Sequence, residues 1–188
     1  MGSIVLAAAT SGTTTLQPSD NSTQTITFPA NTGTVMVSGN MPAFSANAAT
    51  EQTISSSTQT VLVFANEDFD TASCFNNTGS TVGSIPAYAF LPNVAGYYQV
   101  NWQVIVDNMA TTTELLSRLL KNGSNYSWSS NLTPSINHFN SVNGSSLVYL
   151  NGTTDYIQAA IFQNTGANLN TKILAGTYRF SACLVRGA

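Results

Sequence analysis

The clearest signal along the chain is a strict alternation at residues 97–106. Tyr98, Val100, Trp102, Val104 and Val106 fall on one side, and Gln99, Asn101 and Gln103 on the other. A period of two is what a half-buried strand requires, because successive side chains point to opposite faces of a sheet. The same pattern places a last strand at residues 177–185, with Tyr178, Phe180, Ala182 and Leu184 turned inward opposite Arg179 and Ser181. Shorter β-prone runs occupy residues 42–46, 60–64, 87–91 and 146–150, and residues 155–162 carry apolar side chains on both faces. Residues 114–121 fit two patterns. Leu115, Leu116, Leu119 and Leu120 make a helical stripe with Thr113 as N-cap and Gly123 as stop, and they fit equally a strand buried on both sides. Asn122-Gly123 favours the strand, because that dipeptide suits a two-residue hairpin turn. Its partner is then residues 125–129. About eight to ten strands at this spacing predict two packed sheets.

Residues 4–39 read differently. Short β-prone pieces (4–8, 13–16, 24–28 and 34–37) alternate with breakers at Ser11-Gly12, Pro18-Ser19-Asp20, Pro29 and Gly33. They hold too few apolar residues to bury a core alone. Such a stretch needs three copies wound together, or a surface to lie on. We expect a β appendage over residues 1–39 and one full-sized domain over residues 40–188.

Composition sharpens this. Only 7% of residues are charged, against roughly 25% in an ordinary soluble domain. Ser, Thr and Asn fill the gap, with 13 glycines. These residues suit strands and tight turns and are poor helix formers, so the chain reads as all-β. Few charges also let copies of the chain meet at low desolvation cost. The net charge is −3, and the five basic residues (Arg118, Lys121, Lys172, Arg179, Arg186) are scattered. Nucleic acid, which demands clustered Lys and Arg, is therefore not an expected partner. No apolar run approaches the ~20 residues of a membrane span, and residues 4–9 lack the preceding basic residues of a signal peptide. Cys74 and Cys183 show no metal-type spacing and are expected as buried free thiols rather than a disulfide.

A set of landmarks in fixed order resembles the complement C1q globular head, a relative of the tumour necrosis factor fold. It begins with Pro42-Ala43-Phe44-Ser45-Ala46, then Glu67, Phe69, Asp70 and Phe75-Asn76, then Phe90, Pro92 and Gly96-Tyr97-Tyr98. Lys121-Asn122-Gly123, residues 147–150, Asp155-Tyr156-Ile157 and Tyr178-Arg179-Phe180-Ser181-Ala182 complete it. The resemblance covers about residues 41–186. It implies a ten-strand jelly-roll sandwich and a three-fold symmetric homotrimer. Residues 4–39 are similar to a segment of bacteriophage fibre proteins, through Ala7-Ala8-Ala9, Ser11-Gly12-Thr13-Thr14-Thr15-Leu16, Thr25-Ile26-Thr27-Phe28-Pro29-Ala30 and Thr32-Gly33-Thr34. In those proteins the pattern often precedes a distal trimeric domain.

Candidate chemistry is sparse. Glu67, Asp68 and Asp70 form the acidic cluster. Alternating carboxylates in a loop could hold Ca²⁺ through oxygen ligands. The blander alternative, which we favour, is a loop whose Asp side chains satisfy backbone N–H groups. His138 is the only histidine. No G-x-S-x-G elbow or H-E-x-x-H accompanies it, and the other acids are dispersed. No catalytic residue, cofactor or enzymatic activity is expected. Tyr126 and Trp128, with Asn137 and His138 nearby, are the best ligand-binding candidates. Aromatic faces can stack on sugar rings while Asn and His hydrogen-bond the hydroxyls. The alternative, which we weigh higher, is that the two rings fill the core or a trimer axis.

The expected function is a bacteriophage virion structural protein, a short fibre or surface knob at the virion surface, assembled in the host cytoplasm. Residues 1–39 would contact other virion proteins and the head would be displayed, with a host cell-surface glycan as a further partner. The rival classes are a glycan-binding adhesin, a capsule-degrading enzyme and a secreted bacterial C1q-like surface protein.

Overall fold

The computed structural model describes residues 4–7, 13–16, 37, 39, 41–107, 109, 114–132, 139–174 and 176–188. The chain divides into two compact units, Met1–Thr34 and Val35–Ala188. In the first, β1 (Ile4–Ala7) and β2 (Thr13–Leu16) form an antiparallel pair with Ile4 opposite Leu16. The β-prone piece at 24–28, and that at 34–37 apart from Val37, lie outside the described residues.

The second unit is an all-β sandwich. Its strands are β3 (Ala43–Asn47), β4 (Thr53–Ile54), β5 (Thr60–Val61), β6 (Asn66–Asp70), β7 (Gly96–Val106) and β8 (Glu114–Lys121). They continue with β9 (Ser124–Leu132), β10 (Asn140–Leu150), β11 (Ile157–Gln163), β12 (Leu169–Asn170) and β13 (Arg179–Gly187). One sheet runs β10-β7-β13-β3-β6, the other β5-β11-β8-β9, and β12 pairs with β4 at the side. Neighbours in sequence are often not neighbours in the sheets, which is the jelly-roll pattern.

The core lies between the two main sheets and follows from the alternation. Tyr98, Val100, Trp102, Val104 and Val106 of β7 are buried, as are Tyr178 and the inward Phe180, Ala182 and Leu184 of β13. Leu115 and Leu119 of β8 meet them from the other sheet. At the centre Phe44 stacks on Phe75 (4.5 Å) and Phe90 (4.6 Å) and takes the edge of Phe180 at 5.0 Å. Each such ring contributes apolar burial and a ring-pair term of about 0.5–1.5 kcal/mol.

Residues 114–121 form a strand, and the Asn122-Gly123 turn holds both residues at positive φ (52° and 77°). Four expectations need correcting. Residues 87–91 are not a strand. Pro86 and Pro92 lack the N–H a ladder needs, Tyr88 has a positive φ of 53°, and Phe90 alone bridges Phe75 and Ile157. Residues 60–64 are strand only at β5. Beyond it the Gln52 side chain bonds Val61 O (2.8 Å) and Val63 N (3.1 Å), standing in for a neighbouring strand. The acidic residues 67–70 lie on β6, not in a loop. This is an edge strand, where charged side chains are tolerated. The two cysteines are free, but only Cys74 is buried; Cys183 is exposed on the outward face of β13.

Candidate functional site

Two surfaces of the sandwich carry exposed side chains with chemistry, one on each sheet. The first follows from the β8–β9 hairpin. Leu115, Ser117 and Leu119 of β8 point into the sandwich, so Glu114, Leu116 and Arg118 point outward. Trp128 is paired with Arg118, and a bulge between Leu119 and Leu120 lets Tyr126 join it on the rim. Trp128 is 63% exposed and Tyr126 48%. The expectation that these rings fill the core of the chain is therefore overturned. The extra residue that the bulge inserts opposite Leu119–Leu120 is what re-aims them.

These rings, with Glu114, Leu116, Arg118 and Asn125, line an open groove of about 400 Å³. Several of its groups are fixed. The Arg118 guanidinium donates to Gln59 Oε1 (2.7 Å) and lies 4.8 Å from the Phe162 ring centroid. The Tyr126 hydroxyl donates to Leu147 O at 3.1 Å. The backbone N–H of Glu114 donates to Asn164 Oδ1 at 3.0 Å. Asn137 and His138, the other two binding candidates, lie outside the described residues. Glu114, Leu116, Arg118 and Asn125 were not singled out from the sequence, although alternation along residues 114–118 puts the first three on one face.

The acidic cluster does not converge. The Asp68 carboxylate accepts from Ser45 Oγ (2.8 Å), Asn47 Nδ2 (2.8 Å) and Arg179 Nη1 (2.8 Å). The Ser45 hydroxyl, with the Arg179 charge and the Asn47 amide, holds this carboxyl below the ordinary carboxylate range despite partial desolvation. Asp70 turns the other way and accepts from Ala72 N (3.1 Å) and Phe75 N (2.7 Å), closing the turn after β6. Glu67 is pushed upward, first by desolvation and then by the nearby Asp70 charge. Among the described residues, no group of three or more His, Cys, Asp or Glu side chains could hold a metal ion.

The second surface is the outward face of the five-stranded sheet. Its middle is a shallow depression lined by Asn101, Gln103, Asn143, Ser145, Arg179 and Ser181, above the Trp102–Gly144 contact. Amides and hydroxyls there bond one another, as in Gln99 to Ser145 (2.7 Å) and Ser145 to Asn101 (2.9 Å). Towards one end the face turns apolar. Tyr97 lies 5.5 Å from Tyr149, Leu147 is beside them, and all three are exposed.

Neither a family model nor a curated protein matches the sequence. Solved structures do. Crystal structures of murine APRIL at pH 5.0, 8.5 and 8.0 match with TM-scores of 0.55, 0.54 and 0.54. Identity is 12% in each case, and the alignment covers 77% of this chain and 99% of the APRIL chain. At that identity the likeness is one of architecture: residues of the second unit adopt the jelly-roll fold of the tumour necrosis factor type.

Proposed function

We propose that the chain is a bacteriophage virion structural protein, a homotrimeric short fibre or surface knob whose jelly-roll head is displayed on the particle. Residues 1–39 dock it to other virion proteins or wind about the three-fold axis. The observation that carries the self-association is the outward face of the five-stranded sheet. It combines exposed Tyr97, Leu147 and Tyr149 with a belt of amides and hydroxyls, and its arginines are Arg179, paired with Asp68, and Arg186, opposite Tyr97. Enrichment of Tyr and Arg is part of the composition of an interface centre. The resemblance of residues 4–39 to fibre segments supports the placement on a phage.

Light scattering on the purified chain at micromolar concentration should give three times the 19.8 kDa of one copy. A compact single chain would overturn the trimer. Mass spectrometry and electron microscopy of purified particles should find the protein at regular, three-fold-related positions on the virion. Its absence from washed particles would overturn the virion assignment while leaving the trimer standing.

A further inference from the structure

We propose that the groove on the outer face of the β8–β9 hairpin binds a neutral glycan, with Trp128 as the stacking platform and Glu114, Arg118 and Asn125 as hydroxyl partners. This goes beyond the assembly proposed above and does not rest on it: the groove opens on the outer face of the other sheet and meets the assembly face at the Tyr126 hydroxyl on Leu147 O.

Three observations carry it. First, the walls are aromatic and presented. The Trp128 ring is the most exposed large hydrophobic side chain among the described residues, and Tyr126 beside it is pinned through its hydroxyl to Leu147 O. A pinned ring loses little freedom when a ligand stacks on it. Second, polar groups converge on the same groove with capacity to spare. Among the described residues, the Glu114 carboxylate, the Asn125 side-chain amide and the Trp128 indole N–H have no hydrogen-bond partner. Arg118 is oriented by Gln59 and Phe162 and has further N–H donors. Third, the charges cancel. One carboxylate and one guanidinium sit on β8 with Leu116 between them.

These restrict the occupant by chemistry. A purely apolar ligand would bury the carboxylate, amide and indole N–H without partners, at about 1–3 kcal/mol each. An anion would face Glu114 and a cation would face Arg118. A sugar ring has an apolar C–H face for Trp128 and hydroxyls that both donate and accept, so it satisfies a carboxylate, an amide and a guanidinium together. The groove, about 400 Å³, falls at the small end of the roughly 300–1,000 Å³ of small-ligand sites.

The test uses the full chain in its native assembly and a panel of neutral oligosaccharides of glucose, galactose and N-acetylglucosamine. Binding is read from tryptophan fluorescence, since Trp128 is exposed while Trp102 is buried. We expect at least one sugar to shift the emission to shorter wavelength, with an affinity that changes little on adding salt. Trp128→Ala should weaken it by about tenfold or more, equivalent to about 1.4 kcal/mol, and Glu114→Gln by less. The variants should keep the wild-type mass and melting temperature. The proposal is overturned if no panel member shifts the emission, or if Trp128→Ala binds as well as wild type. It is equally overturned if Trp128→Ala releases single chains, because the ring would then be a contact between copies.

Discussion

Trp102 and Gly144 face each other across β7 and β10 and show how one position can be fixed by its neighbour. The indole packs against the glycine, and a Cβ built there would sit 2.0 Å from Trp102 Cζ2, far inside any real contact. The indole Nε1 is buried and has no hydrogen-bond partner among the described residues, so packing is what holds the ring there. Its position leaves no slack. Gly144→Ala should therefore cost about 1–3 kcal/mol through overpacking, lowering the thermal midpoint by about 2–4 °C per kcal/mol. An unchanged melting curve would show that the sheet yields there freely. The requirement was invisible in the sequence. Asn143-Gly144-Ser145 carries no strand signal of its own, and only the pairing with Trp102 reveals a strand interior.

Among the elements, the β8–β9 hairpin and the turn from β10 to β11 clasp one another. Asn151 Oδ1 accepts from the backbone of Thr153 (3.0 Å), Thr154 (2.9 Å) and Asp155 (2.9 Å), which folds the turn. Asp155 then accepts from Asn122 Nδ2 (2.8 Å) and pairs with Lys121 at 3.0 Å, while Asn122 Oδ1 accepts from Tyr156 N at 2.9 Å. Desolvation alone would raise the Asp155 carboxyl, but the Asn122 and Lys121 donors outweigh it and hold it below its ordinary value. A carboxyl depressed on folding binds protons less readily in the folded than in the unfolded state. Its contribution is present above the unfolded carboxylate pKa and is lost as pH falls through the lower, folded value. Asp68, depressed by Ser45 and Arg179, acts in the same direction, whereas Glu67, raised, acts in the opposite one. Thermal midpoints should therefore drop from pH 7 to pH 3, and Asp155→Asn should reduce that drop. Equal drops in both proteins would remove Asp155 from the account. These elements also mark how far the sequence could be read. Alternation is local, so β7 and the inward face of β13 were legible, and Asn122-Gly123 settled β8 as a strand. The β9 register was not. Counting back from the two-residue turn puts Arg118 opposite Ser127; the bulge moves it to Trp128. That one-residue slip turns Trp128 outward and creates the groove, and no local signal announces it. Nor does residue type reveal that residues 140–145 extend β10, because their partner is more than 30 residues away on β7.

At the scale of the molecule, the proposed trimer packs through the outward face of the five-stranded sheet. Across it the pairings run Tyr97 to Tyr149 and Gln99 to Leu147, with Cys183 beyond Gln99 on β13. The Arg179–Asp68 pair at 2.8 Å neutralises the charges near its centre. Arg186 opposite Tyr97 and Lys121 against the Tyr149 ring flank the apolar end, but the cross-strand partner of Leu147 is the uncharged Gln99, so little beside Leu147 itself resists burial. Introducing a charge should. Leu147 is exposed in the single chain, so Leu147→Lys has little reason to disturb the fold of one copy; surface changes of this kind usually fall within about ±0.5 kcal/mol. In a trimer packed through this face, the ammonium would be buried without a partner in every copy. An uncompensated buried charge costs about 3–5 kcal/mol each time. Leu147→Lys should therefore shift the mass seen by light scattering from three copies towards one at micromolar concentration, with far-ultraviolet circular dichroism unchanged. Leu147→Ala, which removes contact but adds no charge, should weaken the assembly without abolishing it. A Leu147→Lys protein that still measures as three copies would place the contact elsewhere, and the apolar end of this sheet would need another occupant.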